Sequence, residues 1–229
     1  MTVHDIARAL PAIPALREHC RSLAGLDLVL NPGGVEPYYS FAPRWSAREE
    51  ASLMSNGSGD EFHIVFSPAG AYIRGFDHES PMSPFGESDG PWPGVVDSVP
   101  EVFRHLVDEP AFSADDLPCL TACLWRETGG DRWLAGDIDF PEVPEGRSDP
   151  DGSGWLFRLL VDRAPEAYQR FAEDHYETAV DIGAVRHIYA GRPLTPAVVS
   201  ALNPSAPAAE VAHEAAATGY AVAGRGWEA

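Results

Sequence analysis

Two short turns within residues 56–85 constrain this chain more than any other feature. Asn56-Gly57 opens the first and Pro68-Ala69-Gly70 makes the second. Between them Phe62, Ile64 and Phe66 alternate with His63 and Val65, the period-two pattern of a strand. Tyr72 to Phe76 supplies another strand beyond the second turn. Connections this short join antiparallel neighbours, because a parallel pair needs a crossover of a dozen or more residues. Upstream, Tyr39, Phe41 and Trp45 surround a further strand, and residues 48–55 run into the Asn56-Gly57 turn. Downstream, Leu117–Arg126 and Trp133–Phe140 are joined by Glu127-Thr128-Gly129-Gly130-Asp131, a second hairpin. The strands therefore form a meander and not a βαβ unit.

Helical spacing brackets the meander. Ile6, Leu10, Ile13, Leu16, Cys20 and Leu23 share a face over residues 5–24, with Pro11 and Pro14 breaking its start and Asn31-Pro32-Gly33-Gly34 ending it. Ser98-Val99-Pro100-Glu101 has the order of a capping box ahead of Val102, Phe103 and Leu106. In the last third, Leu156, Phe157, Leu159 and Leu160 form one apolar face, and Tyr168, Phe171 and Tyr176 the next. Asp181 caps a helix carrying Val185, Ile188 and Tyr189, and Thr195-Pro196 opens one carrying Val198, Val199 and Leu202. The expected fold class is α+β: a single antiparallel sheet of five or six strands packed by N-terminal and C-terminal helices. One globular domain is expected over residues 1–204, followed by a flexible Ala-rich tail over 205–229 with a lone Tyr220 and Trp227. The stretches 81–94 and 141–153, rich in Pro, Gly and Asp, are expected to be exposed connections within the domain.

Composition narrows the classes of function. The chain has 229 residues, 45% of them apolar, which is enough for a substantial core. No apolar run approaches the roughly 20 residues of a membrane span, and MTVHDIARAL lacks a secretory pattern. A cytoplasmic location follows as the expectation. Sixteen arginines and no lysine face 35 carboxylates, a net charge of −19. Such a charge disfavours nucleic acid and anionic membranes and favours a basic protein as partner. Absent lysine with abundant Ala, Gly, Pro and Arg points to a GC-rich bacterial genome. Cys20, Cys119 and Cys123 make no disulfide framework. On one strand Cys119 and Cys123 would sit about 13 Å apart, too far to bridge, so buried free thiols are expected.

The chemistry-bearing residues gather where the Tyr72–Phe76 strand ends, at Asp77, His78, Glu79 and Ser80. Alternation along a strand would put Asp77 and Glu79 on one face, able to share a metal, and His78 on the other. The same alternation argues against a self-contained Ser-His-Asp triad, whose members must converge from separate elements. In a turn, Asp77 and Ser80 would instead satisfy backbone groups. Asp137 and Asp139 alternate on the Trp133–Phe140 segment and would approach Asp77 if that strand neighboured the Tyr72–Phe76 strand, completing a divalent-metal site with Glu79. No metal-spacing rule such as H-E-x-x-H is met, so no cofactor is the leading expectation and a divalent metal the alternative. Asn56-Gly57-Ser58-Gly59-Asp60 has neither the helix nor the lysine of a phosphate loop. Asp149-Pro150-Asp151-Gly152-Ser153-Gly154 begins like a calcium loop, but its twelfth position is Leu160 where a bidentate Glu is required. It reads better as a turn and N-cap for the helix of Trp155. His175 and His187 read as ordinary helix residues, and Trp45, Trp125 and Trp133 as packing. Trp92, pinned in Gly90-Pro91-Trp92-Pro93-Gly94, can anchor a partner or fold back over the sheet.

Several blocks together resemble a family of uncharacterised bacterial proteins: Cys20-Arg21-Ser22-Leu23-Ala24, Tyr38-Tyr39-Ser40-Phe41, Asn56-Gly57-Ser58-Gly59-Asp60, Gly75-Phe76-Asp77-His78-Glu79-Ser80, Trp92-Pro93-Gly94 and Pro193-Leu194-Thr195. The resemblance covers residues 16–204 and implies no activity. In element order the chain also resembles SUKH-type immunity proteins of bacterial toxin systems, without a clear copy of their Gly-containing motif. The leading expectation is a non-catalytic binding protein, of immunity type, that neutralises a basic toxin and binds through Asp77, His78, Glu79, Ser80 and Trp92. The alternative is a metal-dependent hydrolase using Asp77, His78 and Glu79, with no catalytic residue assigned; oligomeric state is left open.

Overall fold

The computed structural model describes residues 1–229 except 35, 87–89, 115–116, 144, 147–148, 225 and 228–229. Parts of the connections at 81–94 and 141–153 and the end of the tail thus lie outside the described residues. The elements run α1 (Val3–Ala9), α2 (Ile13–Leu30), β1 (Tyr39–Ala42), β2 (Glu50–Ser55), β3 (Glu61–Ser67), β4 (Gly70–Phe76) and α3 (Glu101–Val107). They continue with the short pair β5 (Ser113–Ala114) and β6 (Leu117–Pro118), then β7 (Ala122–Glu127) and β8 (Leu134–Ala135). Six helices follow: α4 (Ser153–Leu156), α5 (Arg158–Val161), α6 (Pro165–His175), α7 (Ile182–Tyr189), α8 (Pro196–Leu202) and α9 (Ala208–Ala217).

The fold is α+β, with one antiparallel six-stranded sheet in the order β1-β2-β3-β4-β7-β8 and a separate two-stranded ladder, β5-β6. The predicted strand over 117–126 divides between the two, since Leu117 and Pro118 pair with Ala114 and Ser113 while β7 joins the main sheet. The predicted strand over 133–140 pairs only at Leu134 and Ala135. Ser98 does not cap α3; Pro100 takes that position, with no side-chain bond.

Register sorts the side chains onto two faces. Ile64, Ile73 and Leu124 lie side by side across β3, β4 and β7. On this face Phe157 meets Phe62 with 5.8 Å between ring centroids. The other face carries the row His63, Arg74 and Cys123, and Tyr72 stacks there on Phe103 of α3 at 6.3 Å. Both faces are covered, so every residue of β4 is buried and its sequence GAYIRGF shows no polar alternation. Gly75 belongs to this crowding: a Cβ there would lie 2.6 Å from Phe157 Cζ.

Arg74 is fully buried. Its guanidinium donates to the carbonyls of Phe112 and Cys119 and reaches Glu61 at 3.4 Å, and it lies 5.0 Å from the Phe112 ring centroid. It pins Phe112 and Cys119 to the sheet from inside.

The expectation of a flexible tail over 205–229 is corrected. In α9, Val211, Ala212 and Ala215 are buried, and Tyr220 beyond it is 7% exposed. The Tyr220 hydroxyl lies 3.0 Å from the carbonyl oxygen of Ile188 and 2.9 Å from that of Arg192. Leu194 bonds the segment on both sides, through Ala221 O at 2.8 Å and Ala223 N at 2.9 Å. Alanines at helical spacing bury little area each but let α9 lie close on its neighbours. Cys20, Cys119 and Cys123 are buried and form no disulfide, as expected. No helix is long and apolar enough to cross a membrane among the described residues.

Candidate functional site

Strand β4 ends at Phe76 and the chain turns at once, so strand alternation stops before the polar run begins. The Ser80 N–H donates to the Asp77 carbonyl at 3.0 Å, and the Asp77 carboxylate accepts from the Glu79 N–H at 3.0 Å, an Asx-type turn. His78 therefore does not point away from Asp77. It folds toward Asp60, the last residue of the NGSGD turn.

Asp60 holds two turns together. Its Oδ1 accepts from the His78 backbone N–H at 2.9 Å and is 2.6 Å from His78 Nδ1. Its Oδ2 accepts from Asn56 Nδ2 at 2.7 Å, while Asn56 Oδ1 accepts from the N–H groups of Ser58 at 2.8 Å and Asp60 at 3.1 Å. The Asp60 hydrogen bond raises the pKa of His78, and His78 keeps 43% of its side chain exposed. With Nδ1 donating to Asp60, the ring presents Nε2 outward.

The 149–154 segment closes the other side. Trp155 Nε1 donates to Asp77 Oδ2 at 3.2 Å, and Ser80 Oγ donates to the Pro150 carbonyl at 2.6 Å. Thr121 Oγ1 lies 3.2 Å from the Asp77 N–H and 2.8 Å from the Asp151 carbonyl, joining β7 to the same corner. Gly152 has φ +75°, and a Cβ there would stand 2.4 Å from Asp77 Cβ, so only glycine fits. Asp151 takes the Val3 N–H at 2.8 Å and the Ser153 N–H at 3.0 Å, and burial raises its pKa. The DPDGSG segment is thus a clip that starts α4 and anchors the N-terminus of α1.

Among the described residues, Asp60, Asp77 and His78 form the one group able to offer three metal-ligand atoms, all within 4.8 Å of one another. This corrects the predicted set in two places. Glu79 is exposed outside that group because the turn carries it away. Asp137 and Asp139 lie beyond β8, which is separated from β4 by β7, and both are exposed. Trp92 is corrected in part: its indole donates to the Asp139 carbonyl at 2.9 Å, so it folds back over the chain. Asp60, Thr121 and Trp155 complete the corner without having been singled out. For Asp60 the available signal was its place at the end of an Asn-Gly turn facing a polar strand end; long-range partners such as Trp155 leave no local signal.

Around this buried network several side chains reach solvent. Phe85, 48% exposed, packs edge-on against Phe76 with centroids 5.9 Å apart. Trp155, whose indole bonds Asp77, is 36% exposed, and His78 and Glu79 of the turn are exposed as well. Comparison with protein-family models, with curated proteins and with solved structures gives no match for this chain.

Proposed function

We propose that this protein acts by binding and not by catalysis, that its partner is a basic protein, and that the role is of immunity type, the neutralisation of a basic toxin in the bacterial cytoplasm. One observation carries the reading. At the 77–80 corner Asp60, Asp77 and Ser80 spend their hydrogen bonds on backbone groups and on holding neighbouring side chains, while His78, Phe85 and Trp155 remain exposed around them. Exposed aromatics over a rigid, acidic base have the make-up of an interface hot spot. A net charge of −19 steers a basic partner toward the chain. The sequence blocks and element order that resemble the bacterial family and the SUKH-type proteins lend further support.

The reading expects a toxin gene beside the gene for this chain. Co-expression should protect cells from that toxin, and the purified pair should associate with a rate that falls as salt rises. Phe85→Ala with Trp155→Ala should weaken the complex by tenfold or more. Failure of the purified pair to associate at low salt would sink the proposal.

A second reading, a metal-dependent hydrolase, draws on the Asp60, Asp77 and His78 ligand atoms within 4.8 Å. A metal held through His78 Nδ1 would displace the His78–Asp60 hydrogen bond. Stoichiometric zinc or manganese in the purified protein, lost in Asp60→Asn, is the outcome that favours it; a metal-free protein that added divalent ions do not stabilise counts against it.

A further inference from the structure

A cavity of about 690 Å³ opens between α2, the start of α6, α7 and the segment after α9. Its size is that of a metabolite site, roughly 300–1,000 Å³. The chemistry of its wall differs from the rest of the molecule. Arg163 and Arg186 are both exposed at the cavity. Arg186 is shared with Glu166 at 2.5 Å, whereas Arg163 makes no hydrogen bond or ion pair among the described residues. An anion approaching a chain of net charge −19 is repelled by most of its surface. Here it would meet two guanidinium forks suited to an oxyanion, and the one carboxylate of the lining, Glu18, is paired with Arg21 at 2.8 Å.

Farther in, the wall carries the rings of His19, Tyr189 and Tyr220, and His19 offers a polar atom of fixed role. His19 is 8% exposed, and its Nε2 must donate to the Leu159 carbonyl at 2.7 Å, which leaves Nδ1 as an acceptor. Burial, with the nearby charge of Arg163, lowers the His19 pKa to about 4, so the ring stays neutral and keeps that acceptor. The Tyr189 ring stands edge-on to His19 at 5.0 Å, and Tyr220 completes the wall. Tyr220 is held there by its bonds to the Ile188 and Arg192 carbonyls.

We propose that this cavity binds a small aromatic oxyanion, its carboxylate or phosphate group on Arg163 and Arg186, its ring against Tyr189 and Tyr220, and a hydrogen-bond donor at its far end on His19 Nδ1. The site is independent of the 77–80 corner. Isothermal titration of the full chain at low salt tests it with 4-hydroxybenzoate and 4-hydroxyphenyl phosphate, which separate the two kinds of anionic head. Saturable one-to-one binding of at least one is expected, weakened tenfold or more by Arg163→Gln, a surface change that leaves the ligand-free melting temperature in place. The methoxy analogue of the bound probe, which lacks the donor, should bind several-fold more weakly. Trp155→Ala should leave binding unchanged. Absence of saturable binding by both probes overturns the proposal, as does binding that Arg163→Gln leaves intact.

Discussion

Asp60 and His78, 18 residues apart, are joined twice: through the His78 backbone N–H at 2.9 Å and through its ring Nδ1 at 2.6 Å. A carboxylate that fixes both the main chain and the side chain of one residue makes two turns into a single rigid corner. Asp60→Ala should cost about 1–2 kcal/mol, because it strands part-buried donors on Asn56 and His78. Asp60→Asn should also bring the raised His78 pKa back toward its ordinary value, since the carboxylate is the main cause of the shift. NMR titration of the His78 ring protons checks this directly.

Gly152 and Gly57 separate two kinds of strain. Both have positive φ, at +75° and +72°, but only Gly152 has a neighbour in the way, Asp77 Cβ at 2.4 Å from a built Cβ. Gly57→Ala should cost about 1–2 kcal/mol from backbone strain alone. Gly152→Ala should cost at least twice as much and disturb the Trp155–Asp77 bond, visible as a shift in tryptophan fluorescence together with a lower melting temperature.

Asp27 makes stability depend on pH in an unusual direction. It is 1% exposed, accepts from the Tyr176 hydroxyl, and has an Oδ2 without a partner. Burial raises its pKa to about 6. A raised folded pKa means that the protonated form favours the folded state, so this contribution is complete below about pH 4 and is lost as pH rises through about 6. Asp27→Asn should therefore stabilise the protein at pH 7.5 by about 2–3 kcal/mol, with the gap closing by pH 4. Denaturant melts across that range decide it.

His63 acts in the opposite sense. Burial and the Arg74 charge depress its pKa to about 3, so its neutral form favours the fold. That stability is complete above about pH 6.5 and drains away as pH falls toward 3. His63→Gln should flatten the acid limb of the stability curve at some cost near neutrality, where the tilted ring contact with Phe112 at 4.0 Å is lost.

Removal of residues 205–229 should destabilise the domain instead of trimming it. Tyr220→Ala alone should cost about 3–5 kcal/mol, the range for emptying a buried aromatic site. A truncated chain that melts at the same temperature as the intact one would contradict the packing of α9.

Much of this architecture was legible in the sequence. The two turns at 56–60 and 67–70 dictated antiparallel pairing, and the alternation of Phe62, Ile64 and Phe66 marked the face that packs Phe157. The corner residues were legible as types and less so as a site. Strand alternation assigned Asp77 and Glu79 to one face, but the Asx turn starts at Asp77 itself, so the rule no longer applied. Asp137 and Asp139 failed because β7, distant in sequence from β4, inserts between them, a matter of sheet order with no local trace. The tail misled through composition: small residues look coreless, although close approach is what they permit. Trp155 and Thr121 became part of the corner through contacts 78 and 44 residues away along the chain.

Arg74 has a further consequence for how the molecule comes apart. Lifting Phe112 and Cys119 from the sheet would remove two carbonyl acceptors from a buried cation and leave Glu61, at 3.4 Å, as its partner. Opening that stretch apart from the central strands would leave the charge under-compensated. They form one cooperative unit, and amide protons on β4 and β7 should exchange only when the whole sheet unfolds.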